Sequence, residues 1–282
     1  MKKIIIMGAS SGMGLRVAEM LASRKVRIGV AGRHTGPLEA LKRKYSDYVE
    51  YASIDVTKPD GPMLLEELAE KTGGMDIYLH MAGIGYENLD LDPEREAAIV
   101  STNAVGFARM IDAAYRYMRS RGVRGHIAAV TSVAGTKGIG RLSAYSASKA
   151  FGRTYLVALR QLACEEKSGI FFTDIRPGWV DTPLLLSDVK YPLMMTEDYA
   201  ARRIIKAMAH RESVCTFDLR WKMLTELWQL LPDSLWVRMK VKISKPDLPL
   251  PARLTPEAVA AANRKNAGVI GETAAETGEK KD

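Results

Sequence analysis

The stretch Lys3-Ile4-Ile5-Ile6-Met7-Gly8-Ala9-Ser10-Ser11-Gly12-Met13-Gly14 decides how the fold is read. An apolar run stops at Gly8, and beyond the glycines Leu15, Ala18, Leu21 and Ala22 fall at the spacing of one helix face. Strand, glycine turn, helix is the context in which a glycine motif carries meaning. Gly8 allows the tight turn, Gly12 lets the backbone approach a pyrophosphate, and Gly14 lets helix and strand pack closely. The helix N-terminus, with Ser10, Ser11 and Met13 around it, offers free N–H groups and a partial positive charge to an anion. The spacing is Gly-x-x-x-Gly-x-Gly rather than the Gly-x-Gly-x-x-Gly of other dinucleotide sites. A purely structural turn is the competing reading.

Outward from this stretch, strand and helix patterns alternate. Strands are predicted over 26–31, 49–54, 75–79, 126–131, 170–175 and 213–217, and helices over 37–46, 63–71, 94–121, 144–166 and 197–209. The 94–121 helix is interrupted in pattern near Asn103. This order predicts an α/β fold, a single doubly wound Rossmann-type domain whose parallel sheet of about seven strands is flanked by helices, with a C-terminal helical extension. Ligands of such sheets bind at the carboxyl ends of the strands. Gly8, Arg33, Asp55, Gly83, Ser132 and Gly178 all fall there. No acid stands between Ala31 and Leu38 to take a ribose 2′-hydroxyl, whereas Arg33 suits a 2′-phosphate by charge and fork geometry. NADP(H) is therefore preferred over NAD(H); a solvated loop arginine is the alternative.

The stretch Ser143-Ala144-Tyr145-Ser146-Ala147-Ser148-Lys149-Ala150 places a phenol and an ammonium on one helix face, one turn apart. A nearby ammonium favours the phenolate, which would bring Tyr145 toward the range of a general acid/base. Taken alone, the pair is an ordinary surface Tyr-x-x-x-Lys.

Together these residues resemble the short-chain dehydrogenase/reductase family across roughly positions 1 to 217. The motifs come in the family's order: the turn Gly8 to Gly14, Asp55-Val56, Ala82-Gly83, Asn103, Ser132, Tyr145 with Lys149, and Pro177-Gly178. The resemblance implies an NAD(P)-dependent oxidoreductase with an Asn103, Ser132, Tyr145, Lys149 tetrad. It gives Ser132 the substrate carbonyl oxygen, Tyr145 the proton transfer, and Lys149 both the Tyr145 pKa and the nicotinamide ribose. It gives Asn103 a water of the proton relay, Asp55 the adenine, Ala82 and Gly83 the adenosine side, and Val180 and Thr182 the carboxamide. Two departures stand out. Met7 replaces a frequent Thr, and His80-Met81 replaces a usual Asn pair, so altered packing with retained activity is expected.

Bulk features exclude other classes. The 282 residues carry a net charge of +8, but the excess sits in 202–265, with 13 basic and 6 acidic side chains, so a nucleic-acid partner is not expected. No apolar run approaches the ~18 residues of a spanning helix. The charged start stops short of a signal sequence, and a cytoplasmic protein is expected. Cys164 and Cys215 read as reduced core residues, and the four histidines are scattered, so no metal site is expected.

The apolar segment between Thr182 and Thr196 suggests a lipophilic carbonyl/alcohol substrate. In 218–245, Trp221, Leu224, Trp228 and Leu231 share a stripe beside basic residues including Lys240 and Lys242. That is a basic amphipathic helix for packing, for covering substrate or for peripheral membrane contact. Residues 246–282, with Pro246, Pro249, Pro251 and Pro256, read as a connector and disordered tail after a catalytic domain over 1–217. The family resemblance suggests a homodimer or homotetramer. The rival reading is a non-catalytic nucleotide-binding or membrane-associated scaffold, and an intact tetrad argues against it.

Overall fold

Strands β1 (Ile4–Met7), β2 (Ile28–Gly32), β4 (Ile77–His80) and β5 (His126–Val130) are buried along their whole length. Near-continuous apolar runs of this kind belong to parallel sheets covered on both faces. With β3 (Val49–Ser53), β6 (Phe171–Arg176) and β7 (Val214–Thr216) they form one seven-stranded sheet, every pairing parallel, in the order β3-β2-β1-β4-β5-β6-β7. The structure, a computed structural model, describes residues 2–182 and 191–239, which form one compact body.

Two apolar layers sandwich the sheet. Helices α1 (Gly12–Ala22), α2 (Thr35–Lys44) and α7 (Glu197–Ala209) bury Val17, Leu21, Leu38, Leu41 and Ile204 on one face. Helices α3 (Gly61–Thr72), α5 (Phe107–Ser120) and α6 (Ser143–Glu165) bury Leu65, Met110 and Leu156 on the other. The strand order reverses between β1 and β4, which opens the crevice where such sheets bind ligands. The β1 turn enters that crevice with Gly8 at φ +87; a Cβ there would meet the Ala82 backbone nitrogen at 2.5 Å. Only glycine fits both the conformation and the approach.

Helix ends follow local chemistry. Asp92 caps α4 (Pro93–Val100) by accepting from the Glu94 and Arg95 N–H groups, with proline in the first turn. Thr196 caps α7 through the Tyr199 N–H, ahead of Glu197 and Asp198. The sequence-predicted elements all form with small end shifts, and 197–209 forms as read. The long 94–121 helix differs: a π-helical stretch, Ser101–Gly106, separates α4 from α5 at the place where the apolar pattern breaks.

Helices α8 (Leu219–Gln229) and α9 (Asp233–Trp236) fold back onto the turns after β5. The Trp228 indole donates to the Thr136 hydroxyl at 2.6 Å, and the Trp236 indole to the Gly138 carbonyl at 2.6 Å. Lys137 Nζ binds the Leu231 carbonyl and Asp233. Trp221, Trp228 and Leu231 of the stripe therefore pack on the protein, while its Leu224 is exposed together with Leu219, Met223, Leu227 and Leu230. Lys240, Lys242, the proline-rich connector and the tail lie outside the described residues, as do Leu184, Leu185, Leu186 and Val189. Cys215 is buried as expected; Cys164 is exposed, because beside it Ala163 takes the inward position of α6. Among the described residues no helix is long and apolar enough to cross a membrane.

Candidate active site

The end of β5 delivers Ser132 in extended conformation, its hydroxyl accepting from the Ala134 N–H at 3.1 Å. Val133 N–H bonds the Pro177 carbonyl, joining the ends of β5 and β6 above the crevice. Helix α6 then presents Tyr145 and Lys149 one turn apart. Lys149 is buried, with Nζ donating to the Val130 carbonyl at 3.1 Å and lying 5.7 Å from the Tyr145 ring centroid. Burial raises the Tyr145 phenol above its ordinary pKa, and the Ser132 hydroxyl, hydrogen-bonding with it, pulls partway back. Burial also pushes Lys149 down to about 8, against an opposing pull from Asp174.

This corrects the expectation that Lys149 brings the phenol down. Desolvation penalises both charged forms, and it is the largest influence on each group. The resting phenol is protonated, the form of a proton donor.

Asn103 lies in the π-helical stretch and its side chain is committed to backbone. Oδ1 accepts from the Ile84 N–H at 2.8 Å, and Nδ2 donates to the Ile84 carbonyl at 2.7 Å and the Ser148 hydroxyl at 3.2 Å. The amide thus clamps the loop after β4 against α6. The clamp presents Gly85, which the sequence reading passed over, to the Tyr145 ring: a Cβ on Gly85 would lie 2.5 Å from the ring's Cε2. The repeat Gly83-Ile84-Gly85 was the available clue. Gly83 sits between Asn103 and Lys149, a Cβ on it meeting Oδ1 at 3.2 Å and Nζ at 3.3 Å.

The His80 departure has a definite role. His80 is fully buried, its Nδ1 shares a 2.9 Å hydrogen bond with the Tyr78 hydroxyl, and its ring packs edge-on against Phe107 at 5.1 Å. Burial, assisted by the Lys149 charge, drives its pKa down to about 3, so the ring is neutral.

On the glycine-turn side, the first turn of α1 carries no acid, and Ser11 at its N-cap makes no side-chain cap bond. Among the described residues the N–H groups at Gly12, Met13 and Gly14 are thus free of partners and fit an anion. Gly14 packs against the Gly8 carbonyl, and the Ser10 hydroxyl against Gly32. Arg33, at the end of β2, is exposed and makes no ion pair among the described residues; its charge acts on Asp55. Burial would raise the Asp55 carboxyl, but the Thr57 N–H and hydroxyl, with Arg33 and Lys58, hold it below its ordinary value. Val56 and Val180 are buried, and Val180 bridges to Met195. Gly178 lies under the Trp221 ring, and Thr182 lies over Gly12.

Beside Tyr145, the buried residues Ala134, Ile139, Leu142 and Trp236 form an apolar cluster with Trp179, Tyr191, Trp228 and Leu231 packed on it. Trp179 and Tyr191 lie 4.7 Å apart, centroid to centroid. The sequence reading did not anticipate Trp179 or Trp236 at this position, because only the folded chain brings α9 back to the β5 turns.

A parallel sheet with a phosphate-type glycine turn, and Ser132, Tyr145 and Lys149 at its carboxyl edge, defines a dinucleotide-type oxidoreductase scaffold. Residues 2–190 match the family model described as short chain dehydrogenase, and the chain belongs to that family. It is 33% identical over 239 residues to an uncharacterized oxidoreductase of Myxococcus xanthus, covering 82% of this chain and 93% of that protein. It is also 29% identical over 245 residues to an uncharacterized oxidoreductase of Mycobacterium tuberculosis, covering 83% of this chain and 95% of that one. The fold is shared with an alcohol dehydrogenase from Thermococcus sibiricus complexed with 5-hydroxy-NADP, at TM-score 0.67 and 23% identity, over 77% of this chain and 95% of that one. It is shared equally with an actinorhodin polyketide ketoreductase variant with NADPH, at TM-score 0.67 and 22% identity, again over 77% and 95%. The protein is thus an oxidoreductase of the short-chain dehydrogenase type.

Proposed function

We propose that the protein interconverts a carbonyl and an alcohol on an apolar small molecule, with NADP(H) as the preferred nicotinamide cofactor. The observation that carries this reading is the protonated Tyr145 phenol, hydrogen-bonding with Ser132 and backed by buried Lys149. The bound nicotinamide would supply the hydride. The chain's own residues supply the rest. Ser132 holds the substrate oxygen by hydrogen bonding, Tyr145 gives its phenolic proton to that oxygen, and Lys149 stabilises the charge left on the phenol. Asn103 acts through Ile84, keeping Gly83 and Gly85 against Lys149 and the Tyr145 ring.

The free N–H groups at Gly12 and Met13 would hold the pyrophosphate, with Ser10, Ser11, Ala82, Gly83 and Thr182 lining its path. Arg33, exposed and free of ion pairs among the described residues, would take the 2′-phosphate. The aromatic cluster of Trp179, Tyr191, Trp228 and Trp236 supports an apolar substrate and gives α8 and α9 the role of a pocket wall. On this reading 218–239 is a functional part of the catalytic body. The outward Leu219, Met223, Leu227 and Leu230, beside Arg220 and Lys222, favour a second, additional role in peripheral contact with an anionic membrane. Exposed Phe151, Val157 and Leu162 on α6 support a homo-oligomer.

Tyr145→Phe tests the central claim. Turnover of an apolar ketone panel with NADPH should fall by orders of magnitude while NADPH binding persists; undiminished turnover would sink the mechanism.

A further inference from the structure

The glycine turn faces an acid that the proposed function does not use. A Cβ on Gly12 would lie 3.6 Å from Glu197 Oε1 and 3.5 Å from Thr182 Cβ, so the Glu197 carboxyl stands over the backbone that a pyrophosphate would approach. It is the first residue of α7, and α7 packs along α1. Charge around it is unfavourable. Asp181 lies on the loop before α7, Asp198 beside it on α7, and Glu19 on α1. The one cation facing it from these elements among the described residues, Arg16, is engaged by Asp198 at 2.5 Å and Glu19 at 3.0 Å. The Glu197 carboxyl has no hydrogen bond or ion pair among the described residues. Burial first, and then Asp181, raise its pKa to about 7.

We propose that Glu197 takes up one proton from solvent when a dinucleotide pyrophosphate settles on Gly12, so that cofactor affinity falls as pH rises through neutrality. The inference rests on the dinucleotide reading above. A second anion beside an unpaired, half-buried carboxylate favours the neutral acid, which can also donate a hydrogen bond to a phosphate oxygen. With the free carboxyl near 7, the protonated fraction falls about 25-fold between pH 6.5 and 8.5, and the affinity of the wild type falls with it.

The test is calorimetric titration of the full chain and of Glu197→Gln with NADPH at pH 8, in two buffers of different ionisation enthalpy. At pH 8 the 2′-phosphate, with a pKa of about 6, is already ionised. Lys149 titrates in the same window, so the decisive quantity is the difference between the two proteins. Wild type should take up close to one more proton per nucleotide than Glu197→Gln, and the variant's affinity should lose most of the fall from pH 6.5 to 8.5. Equal proton uptake with nucleotide bound to both would overturn the role of Glu197 alone. If neither NADPH nor NADH binds wild type at any pH, the dinucleotide reading falls, and this inference with it.

Discussion

Gly85→Ala is the sharpest probe of the catalytic geometry. The added Cβ would lie 2.5 Å from the Tyr145 Cε2 atom, where carbon–carbon contacts ordinarily sit at about 3.5–4.0 Å. Something must move by roughly 1 Å. The loop resists, because both polar groups of Ile84 are held by Asn103 at 2.7 and 2.8 Å, and Asn88 N–H is tied to the Arg141 carbonyl. Gly85 is not in the left-handed region, so the substitution adds no backbone strain there. The Tyr145 ring therefore moves away from the substrate oxygen. A misplacement of about 1 Å at a reacting group costs on the order of 100-fold, or about 2.7 kcal/mol of transition-state stabilisation. Steady-state reduction of an apolar ketone with NADPH should show kcat falling by about two decades, with the nucleotide Kd from fluorescence titration unchanged. A Gly85→Ala enzyme with wild-type kcat would refute the packing argument.

Three further outcomes follow from other residues. His80 is wholly buried, with a folded pKa of about 3 against an ordinary 6.5, so the unfolded chain binds the proton first. Its contribution to stability is complete above pH 6.5 and is lost at about 1.4 kcal/mol per pH unit as pH falls toward 3; urea unfolding at pH 7, 5.5 and 4.5 should show a steeper acid loss in wild type than in His80→Asn, and parallel losses would count against it. Asn103→Ala strips partners from the Ile84 N–H and carbonyl, at about 1–3 kcal/mol for each group left unsatisfied; calorimetry should register a Tm lower by several degrees, and an unchanged Tm would contradict the clamp. Arg33→Asp should lower the NADPH-to-NADH ratio of kcat/KM by at least about 10-fold through loss of a phosphate partner, and an unaltered ratio would remove Arg33 from cofactor choice.

Much of this protein is local and therefore legible in its sequence. Apolar runs fix which segments become buried strands, glycine and proline fix where they stop, and Thr196 fixes the start of α7. The break near Asn103 emerged as a π-helical stretch because a six-residue disturbance of the apolar period is itself a sequence feature. The family followed from motif order, since Gly8, Asp55, Gly83, Ser132 and Gly178 each come at or just beyond the carboxyl end of a strand and Tyr145 and Lys149 follow Ser132 on the next helix.

What depends on sums over distant neighbours was not legible. The low pKa of Lys149 and the raised one of Tyr145 come from desolvation by side chains spread across the sheet, and the pairwise argument from their spacing gave the opposite sign for the phenol. Trp221 and Trp228 share a stripe in the sequence, but only the return of α8 and α9 to Thr136 and Gly138 decides that both tryptophans face inward, with Trp236 against Trp228. Gly85 against a ring sixty residues on, and Glu197 over a glycine near the N-terminus, belong to the same class. The chain's periodicity encodes its elements, whereas burial and charge at the crevice arise only once the sheet has brought β1, β4, β5 and α7 together.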